Sequence, residues 1–318
     1  MPFGALLYSY GFESFPTQML FTLGFSLEAA VESSLKMYFH NPRPYFVDSR
    51  IEIFDDCSSG YGNPSGHSMQ SNFWALFLHL HFFKGFGTKS LIVFFFVTLP
   101  FMLTMPLSRL YLGVHGADQV FLGMQLGVFL ALFLFYGLKT ILIKHFKKMA
   151  DLSIGEEEQT KGLRICFAVT YISTLIFLVI YLYDEYLFEI PSTWTLCATV
   201  KKFKSFHYAG LDNAMESYFA VSSYLSFYLS QKQNYALEKP SNAKEIIWRY
   251  ARIIYLGIIP ALVFEQVFYE PVNFLVLILF ISLTPFLCMG LILFYLTPKI
   301  NEKRNAKQLE AEMILIIV

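Results

Sequence analysis

Apolar residues run through this chain in blocks about as long as a bilayer is thick, separated by polar loops. Residues 91–107, 120–138, 166–183 and 274–296 are nearly continuous apolar runs. A hydrocarbon core of about 30 Å takes about 20 helical residues to cross. Strands are much shorter than that, so such runs predict helices. Adding blocks broken by a few charges gives eight segments: 16–39, 66–83, 91–107, 118–143, 165–183, 208–229, 246–268 and 272–297. The first carries Glu28, Glu32 and Lys36 at i, i+4 and i+8, which places them on one helix face. Charges inside a membrane helix must face protein or water, so this face is expected to look inward, and Glu28 and Glu32 are expected to pair with Lys36 or with Ser and Tyr neighbours.

The polar intervals organise these segments. The expected fold is all-α: a polytopic membrane bundle of about seven or eight transmembrane helices. A membrane core is expected over residues 1–144, a cytoplasmic loop over 145–164, accessory helices over 165–298 and a cytoplasmic tail over 299–318. Residues 1–15 are too short to supply a further membrane helix. Alternating the segments across a bilayer sorts the 24 Lys and Arg residues. Seven of them (Lys36, Arg43, Arg50, Arg109, Lys201, Lys202 and Lys204) fall on one face and 17 on the other. The positive-inside bias makes the richer face cytoplasmic and the poorer face luminal, extracellular or periplasmic.

Composition agrees with a lipid surround. The 318 residues are 55% hydrophobic, 18% aromatic and only 15% charged, far from the balance of a soluble domain. Net charge is zero, which gives no footprint for nucleic acid. Residues 1–16 hold no Lys or Arg and include Glu13, unlike a cleavable signal. The four cysteines have no metal-ligand spacing: Cys166 and Cys288 lie in apolar blocks, while Cys57 and Cys197 lie in loops that permit a disulfide. Tyr45, Trp194 and Trp248 read as interfacial anchors, His79 and His81 as interfacial, His40 as a loop-surface residue, and Asp55–Asp56 as solvated acids.

Candidate chemistry collects on the poorer face. Three short stretches open onto it: "KMYFHNPRP", with Lys36 and Arg43; "PSGH", residues 64 to 67; and "SRLYLGVH", with Arg109 and His115. Lys36, Arg43 and Arg109 supply three cations able to surround a phosphate; Arg grips two oxygens and Lys acts as a compact charge. Ser65 and Gly66 stand where a helix is expected to begin, with Pro64 suited to its entry, so backbone N–H groups point at an anion. His67 and His115 can divide nucleophilic attack from proton transfer. No metal or other cofactor is called for, because the cations are side chains.

These three stretches, in this order, resemble the type 2 phosphatidic acid phosphatase superfamily over about residues 16–140. "LKMYFHNPRPYFVD" and "GYGNPSGHSMQ" are especially similar to a bacterial-type membrane branch of it. The resemblance implies that His115 is a nucleophile forming a phosphohistidine and His67 the general acid. It also implies that Lys36, Arg43, Ser65, Gly66 and Arg109 hold the phosphate. The family usually carries an Asp four residues after the nucleophile; here Gln119 stands there and Asp118 one residue earlier, so either could support His115. The expected substrate is a lipid phosphate, with membrane lipids as surroundings and the endoplasmic reticulum as location in a eukaryote. A glucose-6-phosphatase-like sugar phosphatase and a catalytically silent lipid-binding relative are the alternatives.

Overall fold

The computed structural model describes residues 2–54, 60–83, 87–150, 218–232 and 243–252, with scattered positions between 157 and 194. Among the described residues every regular element is helical. In chain order these are α1 (Pro2–Phe12), α2 (Phe15–Phe39), the short α3 (Pro44–Val47), α4 (Gly66–Phe82), α5 (Thr88–Tyr111), α6 (Ala117–Met149), α7 (Tyr218–Lys232) and α8 (Ala243–Arg252). The predicted segments 16–39 and 66–83 thus match helices closely, and 91–107 and 118–143 are each extended by several residues. Cys57 and Cys197, whose loops permit a disulfide, Asp55–Asp56, the segment 272–297 and the tail lie outside the described residues.

Among the described residues two helices, α5 and α6, are long and apolar enough to cross a membrane. Their outer faces display Phe95, Phe96, Val97, Leu107, Phe121, Phe129 and Tyr136, all more than half exposed. Apolar exposure on this scale is a surface for lipid or protein rather than for water, in keeping with a membrane protein. Each helix contains one π-helical turn, at Phe94–Thr98 and Phe133–Leu138.

The chain divides into two compact units. The first contains residues 1–5, 23–141 and 171–217. Its centre is α4, with Phe73, Trp74 and Phe77 fully buried between α5 and α6. The sequence "GMQLG" puts Gly123 and Gly127 one turn apart on α6. A Cβ on Gly123 would meet the Ser65 carbonyl, and one on Gly127 the Met69 carbonyl. Two glycines at this spacing let helix backbones touch, which is how helices pack without a hydrophobic driving force. Against α5 the contact is a hydrogen bond. Pro106 lacks the N–H that would serve the Met102 carbonyl four residues back; Asn72 Nδ2 donates to that carbonyl at 3.1 Å instead.

The second unit contains residues 6–22, 142–170 and 218–318. Its described interior is aromatic and hydroxylic: Phe15 stacks on Phe227, Tyr10 and Thr22 share a hydrogen bond of 2.7 Å, and Tyr250 OH donates to the Leu7 carbonyl at 2.8 Å.

Several expectations for individual residues change. His79 is buried rather than interfacial, because Thr98 and Ser90 satisfy its two ring nitrogens at 3.1 Å each. Tyr45 is not an anchor but part of a buried cluster with Phe46, Tyr61 and Val114, against which Phe188 and Trp194 pack. His40 is not a free surface residue: it holds a left-handed backbone (φ +50°), stacks on Phe188 and meets the edge of Tyr61. Pro64 does not enter the helix, since α4 starts after an N-cap at Ser65. Residues 145–149 are the end of α6 rather than loop.

Candidate active site

Five pieces of the first unit meet at one end of α4. The last turn of α2 carries Lys36, and Arg43 is the N-cap of α3. Ser65 and Gly66 begin α4, with His67 in its first turn. The last turn of α5 carries Arg109. His115 sits in the loop before α6, whose first turn carries Asp118 and Gln119. The charges of Arg109, Glu32, Lys36 and Arg43 all act on His67, and those of Arg43 and Lys36 act on His115. Both imidazoles therefore share one cationic site. His67 is open to solvent, whereas His115 is only 5% exposed.

Backbone carbonyls lock the pieces together. Arg43 Nε donates to Gly60 O at 2.8 Å and its NH1 to Val114 O at 3.1 Å. Gly62 N–H donates to Asn41 O at 2.8 Å, and Ser65 N–H to Gln119 O at 3.0 Å. Gln119 Nε2 donates to Pro42 O at 2.8 Å. The first and third stretches are thereby tied directly, and the second is held by Gln119, just beyond the third.

These bonds also fix the tautomer of His115. Its Nδ1 lies 2.9 Å from the Gly62 carbonyl and 3.2 Å from Gln119 Oε1. Both are acceptors, because the Gln119 amide is oriented by donating to Pro42 O and by accepting from Gly116 N–H at 3.2 Å. So Nδ1 bears the hydrogen. Nε2 is left with a lone pair, which accepts from Arg43 NH1 at 3.2 Å. Burial, then the charges of Arg43 and Lys36, push the imidazole down to about 2, against the opposing effect of its bonds to Gln119 and Gly62. The ring is neutral at physiological pH, with an unprotonated nitrogen facing the cations.

Residues 16–142 match the family model described as the PAP2 superfamily. This segment is a PAP2 domain. Two curated relatives are similar over part of it. A dihydrosphingosine 1-phosphate phosphatase of Schizosaccharomyces pombe is 34% identical over 103 residues, covering 31% of this chain and 25% of the relative. A dihydrosphingosine 1-phosphate phosphatase of Saccharomyces cerevisiae is 31% identical over 127 residues, covering 37% of this chain and 29% of the relative. The chain thus spans between a quarter and a third of the length of the curated relatives it matches. No solved structure matches.

Within the PAP2 domain, Gln119 is the side chain against His115, and Asp118 is exposed. The sequence held a signal for this: Gln119 is the third helical residue after the N-cap Gly116, a position whose side chain folds back to the N-cap N–H. Sequence reasoning missed the carbonyls of Pro42, Gly60, Gly62 and Val114, since any residue type provides a carbonyl. Lys36 is paired with Glu32, Nζ to Oε1 at 2.5 Å, and both are buried.

Proposed function

We propose that the PAP2 domain hydrolyses a lipid phosphomonoester through a phosphohistidine on His115, on the non-cytoplasmic side of a membrane. The observation that carries this reading is the His115 environment. A neutral imidazole presents a lone pair at Nε2 next to Arg43, while its Nδ1–H is held by two neutral acceptors. A buried histidine serving only to pack would need no ring of cations around it.

The proposed chemistry follows from that geometry. The phosphate settles against Lys36, Arg43, Arg109 and the first turn of α4 at Ser65 and Gly66. His115 Nε2 attacks phosphorus; the P–N bond forms as the bond to the lipid oxygen breaks. His67, in its protonated form, gives that oxygen its proton. Positive charge then grows on the His115 ring and is stabilised through Nδ1–H by Gly62 O and Gln119 Oε1. The three cations stabilise charge on the equatorial oxygens. Water, deprotonated by His67, cleaves the P–N bond, and phosphate leaves.

A lipid is favoured over a sugar by an open apolar groove of about 380 Å³ between α5 and α6. Leu110 and Ala117, among its lining residues, neighbour Arg109 and Gly116, so a hydrocarbon tail could lie there while its phosphate reaches the cations. The names of both relatives point to long-chain base phosphates as the class to test first. The expected result is phosphate release from dihydrosphingosine 1-phosphate, little from glucose 6-phosphate, and an acid-labile phosphoenzyme. His115→Ala should abolish both turnover and labelling. Undiminished release by that variant would refute the mechanism.

A further inference from the structure

The anion site already contains an anion. Glu32 lies one turn before Lys36 on α2, and its carboxylate accepts from Lys36 Nζ at 2.5 Å. Its other oxygen lies 3.5 Å from Gln70 Nε2 on α4. The same carboxylate fills the space that a side chain on Gly66 would need. Ser65 does not cap α4 with its hydroxyl, which instead pairs with Ser68 Oγ at 2.9 Å. The first-turn dipole of the helix is therefore faced by Glu32 itself, which is 6% exposed.

We propose that Glu32 is a specificity-determining residue that occupies one phosphate-oxygen position in the resting site, and that substrate binds by displacing it from Lys36 and Gly66. The inference rests on the reading of this site as a phosphate site. Its consequence is selection by charge. A buried Lys must not be left unpaired, so the carboxylate holds it until a stronger anion arrives. A phosphomonoester dianion replaces the contact and adds charge. A phosphodiester, with one negative charge and no third free oxygen, gains too little to expel a carboxylate already in place. The site thereby rejects the diester phospholipids that surround it.

Glu32→Gln removes the competing charge with little change in volume. The probe is inorganic phosphate, titrated into the detergent-solubilised full chain and followed by thermal unfolding. Glu32→Gln is purified in phosphate and exchanged out before titration. The half-saturating phosphate concentration should fall at least about tenfold relative to wild type, where tenfold corresponds to about 1.4 kcal/mol. In turnover, KM for the monoester should fall. Gln70→Ala, which loosens Glu32 without touching its charge, should shift phosphate binding the same way by a smaller factor and keeps the test available if the first variant does not fold. Unchanged or weaker phosphate binding in these variants overturns the proposal and assigns Glu32 to holding Lys36 in place. If wild type binds phosphate and loses it on Lys36→Met, the phosphate site survives that outcome. If wild type binds no phosphate, both readings fall together.

Discussion

Acid should destabilise this protein through His115, by an amount the site itself sets. The imidazole is held down to about 2 in the folded chain but titrates near 6.5 when unfolded. A depressed base binds fewer protons folded than unfolded. Its contribution is therefore fully present above about pH 6.5 and is lost as pH falls from there toward 2. Linkage makes the loss about 1.4 kcal/mol per pH unit once the unfolded ring is mostly protonated. Between pH 6.5 and 4.5 it comes to about 2 kcal/mol. His115→Asn removes the titration while keeping a polar side chain. The assay is denaturant unfolding of wild type and variant in one detergent, phosphate-free, at both pH values. Other carboxylates and histidines titrate in both proteins, so the difference isolates this ring. Wild type should lose about 2 kcal/mol more than the variant. Equal losses would mean that the folded ring takes up its proton together with the unfolded one, and would refute the reading that burial and the neighbouring cations hold His115 neutral.

Other perturbations probe the scaffold. Arg43→Lys keeps the charge but cannot reach Gly60 O, Val114 O and His115 Nε2 together; kcat/KM should drop about 100-fold, or about 3 kcal/mol, in steady-state assays. Gln119→Leu strips partners from the Nδ1–H of His115, Gly116 N–H and Pro42 O; unfolding should show a loss of about 1–3 kcal/mol, and kcat should fall more than KM rises. Gly127→Leu forces α6 off the Met69 carbonyl; it should cost about 1–3 kcal/mol or more in unfolding experiments and lower kcat by moving His67 away from His115.

Helices were legible in the sequence where apolar blocks were long, and less so at their polar ends. The segment 66–83 matches α4 to within a residue, because loop-forming Pro64 and Ser65 abut a block that is buried on nearly every side. The α6 helix overshoots its predicted end and runs to Met149 through Lys144, His145, Lys147 and Lys148. Lys is a good helix former even where apolar periodicity stops, so hydropathy alone ended the segment too early. The three cations and two imidazoles were legible because their chemistry is carried by residue type and spacing. The partner of His115 was legible only through the N-cap: with Gly116 capping α6, helix phase selects Gln119 over Asp118. Burial of His79 was invisible, because its partners Ser90 and Thr98 come from another helix, α5.

Phe188 and Trp194 lie more than forty residues beyond the PAP2 match, which ends at 142, yet they form the outer wall behind the loops that position Arg43 and His115. Inheritance and cooperativity thus draw different borders in this polypeptide. A fragment cut at the homology border would strip Phe188 and Trp194 from the cluster of Phe46 and Tyr61, and with them part of the support of the loop whose Gly62 carbonyl meets the His115 ring. Sequence drift in that distant stretch can therefore shift the loops that carry Arg43 and His115 while every residue of those loops stays the same.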